Sequence, residues 1–199
     1  HWNSSLNQSH DKPIYLAFYG GEPLLNFPLI KQIVDYSKQL EARHNIFKYS
    51  MTTNAVLLDK HMDYIAENKF RLLISLDGNR ENNDYRVFKN GKSSFDLVLN
   101  NIKRLQEKHP QYFEKHVNFN AVLHNKNSVD EAYRYIKKEF GKIPTIAELN
   151  NTGIREASKE DYRQTYRNLE ESLHETEDYS LVEKDLFLRI PNIKSTSFF

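Results

Sequence analysis

"FRLLISLDG", residues 70–78, decides the fold. A short apolar run that stops on Asp77-Gly78 reads as a buried strand with a polar turn at its end. Working outward, the same pattern recurs on both sides. "PIYLAFY" (13–19) and "IFKYSMTTN" (46–54) are strand-like before it, and "VNFNAVL" (117–123) and "PTIAELN" (144–150) after it. "PIYLAFY" is apolar and aromatic enough to read as buried. Helical periodicity fills the intervals. "FPLIKQIVDYSKQLEA" (27–42) puts Leu29, Ile30, Ile33, Val34, Ser37 and Leu40 on one face. "DKHMDYIAENK" (59–69) turns Met62, Ile65 and Ala66 inward. After a polar loop over 79–93, "SFDLVLNNIKRLQEKH" (94–109) aligns Phe95, Val98, Leu99, Ile102 and Leu105. "SVDEAYRYIKKEFG" (128–141) has Ser128 as N-cap, Glu131 at the capping-box position and Gly141 as its stop.

Strand and helix alternating over short connections predict an α/β fold with parallel strands and crossover helices. Either an open doubly wound sheet or part of a β/α barrel would satisfy the pattern. Polar or glycine-containing strand ends (Gly20-Gly21-Glu22, Thr53-Asn54, Asp77-Gly78, Asn150-Asn151) are where such folds carry their sites, and the barrel is favoured. The expected barrel spans 13–153. From 154 to 199 the rhythm breaks into a polar helix with a narrow stripe (Tyr162, Tyr166, Leu169, Leu173) and an extended segment.

Composition narrows the function. With 28 basic and 27 acidic residues the net charge is +1, which gives no electrostatic reason to expect nucleic acid or an anionic membrane. No apolar stretch approaches the roughly 20 residues of a membrane span. "HWNSSLNQSH" lacks a signal-peptide core and an initiator methionine, so the chain is expected to begin inside a longer protein. There is no cysteine, which excludes a disulfide, a cysteine nucleophile and a cysteine-held cluster within these residues. The eight histidines show no HxxxH or HExxH spacing, so no metal site is expected. His116 and His124 flank one strand and are expected at opposite ends of it.

Two of the six glycines stand together in "FYGGEPLL" (18–25). Without side chains at a strand's carboxyl end, main-chain carbonyls lie open to a ligand. Carbonyls beside the carboxylate of Glu22 suit an ammonium better than a phosphate. Phosphate loops present amides, and neither GxGxxG nor GxxxxGK[ST] occurs. The plain alternative is a tight strand-to-helix turn.

Gly20-Gly21-Glu22-Pro23, "TTNA" (52–55), "SLDG" (75–78) and "YRVFKNGKSSF" (85–95) follow one another in order. In this ordered set the sequence resembles the radical S-adenosylmethionine enzymes, and among them the SPASM-type peptide and sulfatase maturases. The resemblance covers roughly 13–150. It implies a partial (β/α) barrel whose first strand and C-terminal auxiliary-cluster module are absent, with 154–199 leading toward that module. It implies that Gly20, Gly21 and Glu22 meet the methionyl ammonium, Ser75 the ribose and Arg86 the methionyl carboxylate. Asn54 lines the same mouth. Asn120 and Leu149 are weaker candidates for the sugar and adenine. The residue-level alternatives are a surface Arg86, a small buried Ser75, and an Asn120 that satisfies backbone groups. Asp77 reads as shaping its turn rather than as an acid or base. Relatives often carry His-Asp shortly before the arginine, where this chain has Asn82 and Asn83 with Asp84 displaced.

The implied cofactors are S-adenosylmethionine and a [4Fe–4S] cluster in the full-length protein, with no cluster expected in this piece, because the CxxxCxxC loop is missing. The implied reaction is formation of a 5′-deoxyadenosyl radical that modifies a ribosomally made peptide or a protein. Outcomes include a thioether or other crosslink, or formylglycine on a sulfatase. The piece itself is expected to be inactive, and no catalytic residue is assigned. A peptide or protein substrate, a flavodoxin- or ferredoxin-type reductant and a cytoplasmic setting follow from the resemblance. An edge-strand dimer follows from the missing first strand. The rival reading is a cluster-free barrel acting as a peptide-binding scaffold. A phosphate-binding β/α barrel enzyme is a third.

Overall fold

The computed structural model describes residues 13–41, 46–124 and 126–148. The strands form one five-stranded sheet in the order β1-β2-β3-β4-β5. Spatial order equals chain order, with no reversal point. A doubly wound sheet requires such a reversal, so the order belongs to a partial β/α barrel. The described residues divide into two compact units, one of residues up to 74 with 97–117, the other of 75–96 with those from 118 to 148.

The first unit begins with β1 (Ile14–Phe18), a 3-10 turn (Pro23–Asn26) and α1 (Phe27–Glu41). β2 (Phe47–Thr53), α2 (Leu58–Glu67), most of β3 (Arg71–Ser75), α3 (Phe95–Lys108) from Leu97 onward and α4 (Pro110–His116) complete it. β1 and β2 are parallel from Ile14↔Phe47 to Phe18↔Met51, and β2 and β3 from Ser50↔Arg71 to Thr53↔Ile74. The core gathers on Phe70, which lies against Tyr49 (ring centroids 5.2 Å apart) and Phe18 (5.8 Å). Tyr112 of α4 donates its hydroxyl to the Phe70 carbonyl at 2.7 Å, which satisfies a polar group that burial would otherwise penalise. Ser37, also buried, shares a 2.7 Å hydrogen bond with the Tyr49 hydroxyl and donates to Val34 O.

Two expectations are corrected here. β1 is not a buried strand: Ile14 is 41% and Tyr15 52% exposed, because among the described residues β1 ends the sheet order and has β2 alone beside it. Leu29 is 48% exposed, and the buried stripe of α1 is the narrower Ile30, Val34, Ser37 series. The expected stripes of α2 and α3 are found: Met62, Ile65, Ala66, Phe95, Val98, Ile102 and Leu105 are buried, with Leu99 half-buried. α4 was not legible as a helix. Its signals are Pro110 in the first turn and the buried Tyr112-Phe113 pair.

α2 ends in a motif with an instructive misfit. Phe70 N donates to Ile65 O and Lys69 N to Ala66 O, the paired bonds of a Schellman ending. The left-handed position is held by an exposed lysine, Lys69 (φ 52), where glycine is preferred. A left-handed L-residue costs about 1–2 kcal/mol and glycine gives back part of that in unfolded-chain entropy. Lys69→Gly is therefore expected to raise stability by about 0.5–1 kcal/mol, read as a higher urea midpoint with unchanged slope.

The second unit holds the end of β3, the loop to Ser94, β4 (Val117–Leu123) from Asn118, α5 (Val129–Phe140) and β5 (Thr145–Glu148). β4 and β5 are parallel from Asn120↔Thr145 to Leu123↔Glu148. Ala121, Leu123, Val129, Ala132, Tyr133 and Ile146 make its core, with Ile143 packed against them. α5 starts and stops where its caps place it. Ser128 accepts a hydrogen bond from Glu131 N, and Gly141 takes the left-handed conformation (φ 67). His116 and His124 do lie at opposite ends of β4. β5 ends at Glu148, so Leu149, Asn150-Asn151 and the expected extension over 154–199 lie outside the described residues. No helix among the described residues is long and apolar enough to cross a membrane.

Candidate functional site

In the first unit the carboxyl ends of β1 and β2 are joined by one side chain. Glu22 N-caps the 3-10 turn, its Oε1 accepting from Leu24 N at 3.1 Å. The same oxygen accepts from Thr53 Oγ1 at 2.7 Å, and Oε2 accepts from Asn54 N at 2.7 Å. Both carboxylate oxygens are thus committed to the chain itself. Beside this clamp Gly20 sits at φ 121, a conformation that side chains resist, and both Gly20 and Gly21 are exposed. A Cβ built on either glycine meets nothing within 4 Å. Among the described residues no hydrogen bond reaches the carbonyl of Gly20 or Gly21. Among the described residues the rim is open.

Asn54 is half-buried and closes an Asx turn, its Oδ1 accepting from Val56 N at 2.9 Å. The next residue, Ala55, is fully buried and left-handed (φ 60). It is held from both sides: Ala55 N donates to Thr53 Oγ1, and Asn101 of α3 donates Nδ2 to the Ala55 and Val56 carbonyls at 2.9 and 3.1 Å. Thr53 stood in the sequence only as part of a polar strand end, and Asn101 was missed. A polar residue inside the apolar register of α3 was the available signal.

In the second unit Ser75 is half-buried at the end of β3. Leu76 N donates to the carbonyl of Asn120, itself half-buried on β4, at 3.0 Å. Asp77 then takes over where the main-chain ladder stops. Its Oδ1 accepts from Val122 N at 2.8 Å. Both of its oxygens also accept from Arg86, Nε to Oδ2 and Nη2 to Oδ1, each at 2.6 Å. The Asp77 side chain is 4% exposed and that of Arg86 26%. Arg86 is therefore not a free surface arginine but one arm of a nearly buried fork-to-fork pair.

The loop that carries Arg86 is built on asparagines. Asn83 Oδ1 accepts from Asp77 N at 3.0 Å, and its Nδ2 donates to the carbonyls of Gly78 and Asn79, each at 2.7 Å. Asn82 Oδ1 accepts from Asn79 N at 3.0 Å, and its Nδ2 donates to Lys126 O at 2.9 Å. Both side chains are buried. His124, buried at the end of β4, lies with Nε2 2.9 Å from Asn82 O and 3.9 Å from Asp77 Oδ2. Its Nδ1 accepts from Lys126 N at 3.1 Å, which fixes a neutral ring with the proton on Nε2. Burial pushes its pKa below the ordinary histidine value, the Asp77 charge opposing this. Asn127 Nδ2 ties Asp77 O to Val122 O.

Among the described residues no group of three or more His, Asp or Glu is gathered as a metal centre. With no cysteine in 199 residues, a [4Fe–4S] cluster does not fit this chain's donor set.

Relatives place these observations. The chain is 33% identical over 146 residues to a cysteine-type anaerobic sulfatase-maturating enzyme of Clostridium novyi, covering 68% of this chain and 37% of that protein. It is 26% identical over 162 residues to the radical SAM cyclopropyl synthase TigE of Paramaledivibacter caminithermalis, covering 77% of this chain and 32% of the other. These relatives are much longer than the matched region. Among solved structures, native anSMEcpe with bound AdoMet superposes with a TM-score of 0.64 at 21% identity, covering 91% of this chain and 50% of that one. The same enzyme with bound AdoMet and a Kp18Cys peptide gives 0.62 at 22% identity, covering 86% and 48%. Those likenesses show the fold. The Radical SAM superfamily model matches residues 7–138, the larger part of the sequence, and the chain belongs to that superfamily.

Proposed function

We propose that this chain is the S-adenosylmethionine-binding part of a maturase that modifies a ribosomally made peptide or a protein. The observation that carries the proposal is the open glycine rim, with unoccupied space over Gly20 and Gly21 and main-chain carbonyls without donors among the described residues. Those carbonyls accept from the methionyl ammonium. Glu22 holds the rim in place through its clamp on β2 and adds negative charge beside it, and Asn54 lines it. In the second unit Arg86 takes the methionyl carboxylate, and Ser75 a ribose hydroxyl. Asn120 and Leu149 are assigned to the sugar and adenine.

When bound, S-adenosylmethionine supplies a carbon–sulfur bond that one-electron reduction breaks homolytically, giving a hydrogen-abstracting carbon radical. The residues here orient the amino-acid end of that molecule. With no thiolate in the chain, ligands for a cluster would come from outside these 199 residues, and the piece alone is inactive. A peptide substrate is supported by the likeness to sulfatase-maturating enzymes and to a fold neighbour solved with a peptide. A flavodoxin- or ferredoxin-type donor and the cytoplasm suit that chemistry. The absence of cysteine favours one rival, a cluster-free barrel that serves as a peptide-binding scaffold.

Calorimetric titration with S-adenosylmethionine separates them. The wild-type chain is expected to bind it. Gly21→Val is expected to weaken binding at least tenfold with an unchanged melting curve, because its side chain enters empty space. A wild-type chain that does not bind overturns the cofactor reading and favours the scaffold. Binding that Gly21→Val leaves intact removes the rim from the site.

A further inference from the structure

We propose that Asp77 is the positioning residue for Arg86, holding one edge of its guanidinium so that the opposite edge is presented to the carboxylate of an S-adenosyl amino acid. This rests on the assignment of Arg86 under Proposed function and adds a residue to it.

A guanidinium has five N–H groups arranged as two bidentate edges. Asp77 occupies the edge formed by Nε and Nη2, with both contacts at 2.6 Å. The edge formed by Nη1 and the second Nη2 hydrogen is left for a planar two-oxygen acceptor. The Asp77 side chain is 4% exposed and that of Arg86 26%, so solvent reaches the pair from the arginine's side chain. Asp77 is itself immobilised, by Val122 N on its carboxylate and by Asn83 Oδ1 and Asn127 Nδ2 on its main chain. The backbone of Arg86 is pinned as well. Its N donates to Asn83 O at 2.9 Å, and its O accepts from Ser94 N and Ser94 Oγ at 3.1 and 2.8 Å. A long side chain fixed at both ends has little freedom left to lose on binding.

Two effects of Asp77 oppose each other. Its charge offsets that of Arg86 and so weakens attraction for an anion. Its hydrogen bonds pre-orient the fork and so strengthen binding. The geometry favours orientation, because the carboxylate holds one whole edge of the fork through two 2.6 Å bonds and is almost out of solvent. The two effects give opposite signs when the charge is removed while the shape is kept.

Asp77→Asn is the variant, since its Oδ1 can still accept from Val122 N. The probes are S-adenosylhomocysteine, which carries the amino-acid carboxylate, and 5′-methylthioadenosine, which lacks it. In calorimetry on the full chain, Asp77→Asn is expected to bind S-adenosylhomocysteine at least tenfold more weakly than wild type, with affinity for 5′-methylthioadenosine unchanged within twofold. Equal or tighter S-adenosylhomocysteine binding overturns the proposal in favour of the charge effect. Equal losses for both probes overturn it in favour of a purely structural role. A wild-type chain that binds 5′-methylthioadenosine but gains nothing from the amino-acid group overturns the Arg86 assignment, and one that binds neither overturns the cofactor reading itself. Should Asp77→Asn fail to fold, nitrogen-15 spectra of the wild type decide. The Arg86 Nε–H signal is expected to be slow to exchange without ligand, and the Nη signals to shift with S-adenosylhomocysteine but not with 5′-methylthioadenosine. A rapidly exchanging Nε–H in the free protein overturns the proposal.

Discussion

Gly78→Ala is expected to destabilise the protein by about 2–6 kcal/mol, a large share of the margin of an ordinary domain. Gly78 has φ 129, which costs a side-chain-bearing residue about 1–3 kcal/mol. The added methyl would stand 2.4 Å from Asn82 Oδ1 and 3.0 Å from Asn82 Cβ. Overpacking of this kind costs about another 1–3 kcal/mol, provided the neighbour cannot move aside. Asn82 is not free to do so: its Oδ1 is bound to Asn79 N, its Nδ2 to Lys126 O, and its main-chain carbonyl to His124. Gly21→Ala is the internal control, because its methyl meets nothing and the change is expected to stay within about 0.5 kcal/mol. Urea unfolding of both variants measures the difference. A Gly78→Ala loss below about 1 kcal/mol would show that the Asn79–Asn83 loop relocates at little cost.

That contrast between two glycines shows what the sequence can and cannot convey. Asp77-Gly78 was legible as a strand stop and Gly20-Gly21 as a bare rim, because both depend on what a residue lacks. α5 was legible at both ends, because Ser128 and Gly141 act within a few residues of themselves. The burial of β1 was misjudged because it depends on the number of neighbours a strand acquires, which composition does not encode. The reading of Arg86 needed the path of the loop between it and Asp77. That path is set by Asn82 and Asn83, whose amides each satisfy several main-chain groups at once. In the sequence the pair stands only as a departure from a His-Asp pattern. His124 likewise carries no local signal for its neutral, buried state. That state comes from Asn82 O on one nitrogen and Lys126 N on the other.

Glu22→Ala carries the other large expected effect, and it tests how a carboxylate beside the glycine rim works. Three donors would lose their acceptor together: Leu24 N, Thr53 Oγ1 and Asn54 N. Loss of the N-cap bond alone costs about 1 kcal/mol. Hydrogen bonds to a charged acceptor contribute about 1.5–3 kcal/mol where water cannot replace them. Glu22 and Asn54 are half-buried whereas Thr53 is 2% exposed, so water can reach part of the gap but not the threonine end. The expected loss is about 2–4 kcal/mol. Glu22→Gln is not expected to restore it fully, since both carboxylate oxygens face donors and an amide has one oxygen. Its nitrogen must oppose Asn54 N–H or displace the Thr53 hydroxyl, and the residual cost is about 1–2 kcal/mol. Hydrogen exchange locates the effect. Both the Asn54 and Leu24 amides should lose protection in Glu22→Ala and one of the two in Glu22→Gln, while the amides of α5, in the other unit, should not. If Glu22→Ala left the Asn54 amide protected and the urea midpoint unchanged, the carboxylate would not be the clamp between β1 and β2. Its negative charge would then have to act on a ligand directly. If the loss is found, the acid contributes to the rim first by fixing its shape, and an ammonium at Gly20 and Gly21 meets carbonyls already held in place.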